Sequence, residues 1–202
     1  MNSIEYEKIK HLSYLEYCKY LQEKYGLAPC NYLRPSFTEN PKASRTSEGL
    51  VAHHKFEDTA IDLSKKEIAS QCPYEWQYPV NIVYCDYLEH LLLHVLICEY
   101  RIKDAIKGDI IPVGIAGIFD FIVPELNDWY SGFVPKQDYK ICLYNKVIHD
   151  KNVYLTILKR FQHTCYLYPL YNHHHFYSSL GSMYGVWDKS KNKQIYFDII
   201  GK

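Results

Sequence analysis

Two histidine placements, far apart in the chain, constrain its fold more than any other feature. From about Asp86 onward, Leu88, Leu91, Leu92, Val95 and Leu96 recur at helical spacing, and His90 and His94 fall four apart among them. Rings so placed leave a helix on one side, about one turn apart. Two such imidazoles can hold one metal ion, and a third ligand from elsewhere would leave a coordination position open for water or phosphate. The adjacent pair His53-His54 closes a short apolar, strand-like run, Gly49-Leu50-Val51-Ala52. Neighbours on a strand point to opposite faces. One ring of the pair can therefore bind the metal while the other points toward a substrate, provided the fold brings strand and helix together.

The same residues carry a resemblance. A His-His pair, an Asn, and two histidines nine and thirteen residues after that Asn resemble the HNH, or ββα-metal, nuclease motif of the colicin-type DNases. Here these positions are His53-His54, Asn81, His90 and His94, and Asn81-Ile82-Val83 resembles the segment that opens the family's second half. Phage and homing HNH nucleases show similar segments. The resemblance covers about a quarter of the chain. It implies a β-hairpin followed by a helix, with His54 as general base and His53, His90 and His94 as ligands to one divalent metal ion. It also implies that the Asn81 amide pins the loop between strand and helix and so keeps His54 oriented. The implied reaction is phosphodiester hydrolysis, with the ion stabilising the phosphorane and the leaving oxygen, and with 5′-phosphate and 3′-hydroxyl ends. The gap from His54 to Asn81 exceeds the family spacing, so Lys55–Val80 contains an insertion. Asp86 and Glu89 stand where many members carry zinc-knuckle cysteines, and Lys55-Phe56-Glu57-Asp58 replaces the usual polar turn.

An all-histidine shell favours Zn²⁺, Ni²⁺ or Mn²⁺, whereas Mg²⁺ prefers oxygen ligands. Asp86, one turn before His90, could add a carboxylate, so the sequence does not distinguish among these ions. Formal net charge is zero, so phosphate contact must come from a local patch, for which Arg45 is the best candidate. Nucleic acid is the expected partner, DNA favoured, with no membrane and an open oligomeric state. An RNA-directed nuclease is one alternative. The other is a catalytically silent, metal-stabilised module of a phage or mobile element that binds nucleic acid or protein.

At 202 residues, the chain can bury a proper core. The seven cysteines are scattered and form no Cys-x-x-Cys pair, which argues against a zinc ribbon or disulfide framework and fits a reducing cytoplasm. The start of the chain lacks a secretory signature, and no apolar run approaches a membrane span. The expected fold is α+β: a ββα-metal core embedded in a mainly helical domain with a C-terminal β-hairpin. Residues 1–47 form an N-terminal helix over 3–25, stopped at Gly26, and a loop packing on the core. Residues 48–100 hold the motif and its insertion, where Leu63–Ala69 predicts a short helix capped by Ser64 and Glu67. Residues 101–165 form a helical region in which Gly114 and Gly117 permit close helix approach and Asn152–Phe161 is helical. Glu125 and Asp128 read there as surface charges. Residues 166–202 are Tyr- and His-rich; Tyr184–Trp187 and Gln194–Ile200 form a hairpin about the polar turn Asp188–Lys193. The His173-His174-His175 triplet lacks a completing ligand shell, and contact with nucleic acid or a partner suits it better.

Overall fold

The computed structural model describes residues 1–108, 113–168, 176 and 178–200, so the His173-His174-His175 triplet lies outside the described residues. Two short helices come first, α1 (Ser3–Ile9) and α2 (Tyr14–Tyr25). The single helix expected over 3–25 is interrupted at Ser13, whose N–H and hydroxyl both reach the Glu16 carboxylate, at 2.9 and 2.6 Å. That capping box satisfies the free N–H groups of a new helix start and so restarts the helix there. Gly26, with φ 79°, ends α2 as the sequence predicts.

The α+β expectation holds at the coarse level. Among the described residues there is one antiparallel two-stranded sheet, β1 (Val51–His54) and β2 (Ile82–Cys85), set among helices. The register pairs His53 with Val83 and His54 with Ile82. Paired residues share a sheet face. Val83 and Cys85 join the main core, whereas Ile82 and Tyr84 join a smaller cluster with Ala28 and Leu50. His53 thus faces the main core and His54 the opposite side. The connection between the strands contains one α-helical turn, α3 (Lys66–Ala69), among 3₁₀ turns. The capping box expected at Ser64 does not form. Asp62 takes a left-handed φ of 58°, the Lys65 N–H closes onto its carbonyl at 2.8 Å, and the helix starts only after that turn.

One residue after β2, α4 (Tyr87–Gly108) begins. Asp86 Oδ1 accepts from the N–H groups of Leu88 and Glu89 at 2.9 and 2.8 Å, and Glu89 Oε2 accepts from the Asp86 N–H at 2.7 Å. This capping box fixes the helix start, and with it the height of His90 and His94 along the axis. Leu88, Leu91, Leu92, Leu93, Val95 and Ile97 are fully buried, so the first half of α4 packs into the core on more than the one face the sequence marks, as suits a central helix. Burial of each such side chain contributes about 1.5–3 kcal/mol.

The remaining helices surround α4. A π-helical segment, Gly117–Ile122, runs into α5 (Val123–Tyr130), followed by α6 (Asp138–Val147) and α7 (Lys151–Cys165), which extends past the expected Asn152–Phe161. Pro124 lacks an N–H and its ring crowds the carbonyl four residues back, which favours the wider π turn just before it. Glu125 and Asp128 are buried, not surface charges. Asp128 accepts from Ser182 Oγ and from the N–H groups of Met183, Tyr184 and Trp187, while Glu125 accepts from the hydroxyls of Tyr87 and Tyr184 and from Lys140.

The expected C-terminal hairpin is instead a helix, α8 (Lys189–Ile200). Asp188 Oδ1 accepts from the Ser190 N–H at 2.7 Å and the Lys191 N–H at 3.3 Å. The polar stretch that reads as a turn is therefore a helix N-cap.

Candidate metal centre

Beyond β1 the chain makes a tight 3₁₀ turn, Lys55–Asp58, which swings Glu57 back over the strand end. Its Oε2 lies 3.3 Å from His53 Nδ1 and 3.5 Å from His94 Nε2, and its Oε1 lies 3.5 Å from His54 Nδ1. From α4, His90 and His94 bring their Nε2 atoms within 3.2 Å of each other. One ligand atom from each of His53, Glu57, His90 and His94 lies within 4.8 Å of the other three. The structure thus brings together all three expected ligands and adds a carboxylate that the sequence reading missed. The signal for Glu57 was its position three and four residues after the histidine pair, which a tight turn converts into contact.

This group can hold a metal ion, and its chemistry fits one. His53 Nδ1 is buried and makes no hydrogen bond, so a lone pair or proton there has no partner except the cluster. Burial holds His90 well below the ordinary imidazole range and lowers His94 to about 4, against the opposing pull of Glu57. Both rings are therefore neutral near pH 7, as a ligand must be. Asp86, the carboxylate considered as an addition to the shell, is committed elsewhere. It caps α4 and pairs with the amino group of Met1, fully buried.

Three of the four cluster residues, Glu57, His90 and His94, line a cleft of about 210 Å³ together with His54, Ile61 and Phe121 among others, while His53 is fully buried. Gly117 closes over His94: a Cβ there would lie 2.6 Å from His94 Cε1. A Cβ on Gly114 would likewise lie 3.0 Å from the His94 carbonyl oxygen. Both glycines serve the close approach that the sequence predicts.

His54 lies beside the cluster, its Nε2 3.1 Å from Gln77 Oε1 and its ring edge-on to Tyr32. Gln77 is buried and donates from Nε2 to the Leu63 carbonyl at 3.1 Å. Nothing in the sequence singles it out. Asn81 stands ahead of β2 rather than between strand and helix, and it donates to the Glu75 carbonyl at 2.7 Å. It pins the loop that carries Gln77 and does not touch the cluster. Arg45 lies outside the centre, its Nε and Nη2 donating to the Glu48 carboxylate and its Nη1 to the Tyr25 carbonyl, over the Tyr84 ring. It lines a neighbouring cavity that shares Tyr32 and Ala52 with the cleft.

Among the described residues, no helix is long and apolar enough to cross a membrane. No protein-family model, curated protein or solved structure matches the chain.

Proposed function

We propose that the chain is a metal-dependent endonuclease of the HNH, ββα-metal kind, hydrolysing phosphodiester bonds with DNA as its favoured substrate. One observation carries this reading. His53, Glu57, His90 and His94 converge beside a cleft that the last three line, with His54 Nδ1 3.5 Å from the same carboxylate. The order of hairpin then helix, with histidines at the strand end and four apart on the helix, supports it further.

His53, Glu57, His90 and His94 would hold the ion. Three imidazoles and one carboxylate suit Zn²⁺, Ni²⁺ or Mn²⁺ better than Mg²⁺. When bound, a divalent ion supplies Lewis-acid stabilisation of charge on the phosphate and the leaving oxygen. Glu57 contributes the one negative charge of the shell. His54 accepts the proton of the attacking water, a task for which an imidazole is suited near neutral pH. Gly117 and the π segment wall the cleft beside His94.

A second reading is favoured by the donor count. Four protein ligands are what a closed, structural tetrahedral site uses, and such a site would make the chain a metal-stabilised, catalytically silent module. Incubating the protein with plasmid DNA and with total RNA, in Mn²⁺, Zn²⁺ or Mg²⁺, separates the readings when His54→Ala and His90→Ala are run beside it. The nuclease reading expects metal-dependent nicking of DNA by the native protein and none by either variant. Tight metal binding with both nucleic acids intact in every metal would sink it in favour of the silent module. RNA cleaved and DNA spared would move the substrate.

A further inference from the structure

We infer that Tyr14 and Gln77 are positioning residues that set the tautomers of the adjacent histidines, so that both Nδ1 lone pairs are turned toward Glu57. Neither belongs to the histidine motif. Tyr14 is the first residue of α2, and Gln77 lies in the long connection between the strands. The inference rests on the metal-site reading for its purpose, but not for its geometry.

Donor and acceptor accounting fixes the Gln77 side first. A backbone carbonyl can only accept, so the contact with the Leu63 carbonyl at 3.1 Å identifies the Gln77 nitrogen and leaves its oxygen facing His54. An amide oxygen also only accepts. His54 Nε2, 3.1 Å away, must therefore carry a proton, and the neutral ring then has a bare Nδ1. The turn agrees with this tautomer, since the His54 side chain faces the Glu57 backbone N–H in a reciprocal cap.

Tyr14 does the same for His53. Its hydroxyl has one proton, which goes to a backbone carbonyl, that of Lys55 at 2.9 Å ahead of that of His54 at 3.4 Å. The oxygen is then free to accept from His53 Nε2, also 2.9 Å away. His53 Nδ1 is left as a bare lone pair, buried, without a hydrogen bond, and 3.3 Å from a carboxylate oxygen. Two acceptors at that distance repel unless a cation lies beside them. A metal-ligating imidazole is commonly held in this way, with its other nitrogen donating to an oriented oxygen. The strand places His53 and His54 on opposite faces, and the two anchors approach from opposite sides to match.

The test is the tautomer itself, read by long-range ¹H–¹⁵N NMR on histidine-labelled, metal-free protein. The expected spectrum shows His53 and His54 both protonated at Nε2. In Gln77→Met, His54 should lose its single tautomer while His53 keeps its own; in Tyr14→Phe the reverse should hold. Gln77→Glu, which retains an acceptor, should restore the His54 pattern. Zn²⁺ affinity measured by competition with a chelating dye should fall about 10–100-fold in Tyr14→Phe. An Nδ1-protonated or doubly protonated His53 or His54 in the native protein overturns the inference, as does a Gln77→Met spectrum identical to native. If a variant fails to fold, the native spectrum alone decides. The tautomers are read without substrate, so an inactive protein with both histidines protonated at Nε2 would fail the nuclease reading and leave this one standing.

Discussion

At the residue scale, the chemistry turns on Glu57, the one carboxylate among the four candidate ligands. Glu57→Gln keeps the size and removes the charge, and we expect Zn²⁺ affinity by calorimetric titration to drop at least about tenfold, the lower end for a perturbed metal shell. His54→Ala separates the two roles of the histidine pair. It should bind Zn²⁺ as the native protein does and lose about 10²–10⁴-fold in cleavage rate, the range for removal of a general base. Affinity lost together with rate would make His54 a ligand instead. The histidines were legible in the sequence because strand and helix periodicities fix the direction of a side chain. Glu57 was not, because a 3₁₀ turn has no strong residue signature and its contacts are made back across the strand end. Gln77 was less legible still: it reaches His54 from twenty-three positions away, and only the folded path of the connection brings it there.

At the scale of elements, the site depends on how closely the π segment lies on α4. Gly117→Ala places a methyl carbon 2.6 Å from His94 Cε1, so the ring or the π segment must move. The expected cost is about 1–3 kcal/mol of stability, as for other overpacked sites, with weakened Zn²⁺ binding. Gly181→Ala, whose Cβ would meet only Pro124 Cγ at 3.7 Å, is the control and should leave the metal site unchanged. Urea unfolding of the metal-free proteins, paired with metal titration, measures both effects. Ser13→Ala acts on a different element: loss of the α2 cap should cost about 1 kcal/mol and leave Zn²⁺ affinity unaltered. Two of the elements that the sequence misplaced, the break before α2 and the C-terminal helix, fail for one reason: Ser13 and Asp188 are caps, and a cap resembles a loop or turn residue until the backbone N–H groups it satisfies are known. Helix α4, β1 and β2 were legible because apolar runs of that length have few other ways to be buried.

At the scale of the whole molecule, the four ligands come from a strand end, the turn after it and a central helix, so a bound ion would cross-link segments spread over residues 53–94. The first half of α4 is largely buried, and its polar side chains there meet partners: Asp86 the Met1 amino group, Glu89 Lys24 and Tyr25, and His90 and His94 each other and the cluster. The metal-free protein should fold around its apolar core with these four side chains already gathered, and an ion would tie them together. A ligand that binds the folded state alone adds about 2.7 kcal/mol at a concentration one hundred times its Kd. For a chain of this length, that is a rise of roughly 5–10 °C in Tm. Calorimetric scans with Zn²⁺ and with a chelator should differ by that amount in the native protein and by almost nothing in His90→Ala. A native Tm indifferent to metal would mean that the four side chains meet without gripping an ion, and the convergence of strand, turn and helix would then need another explanation.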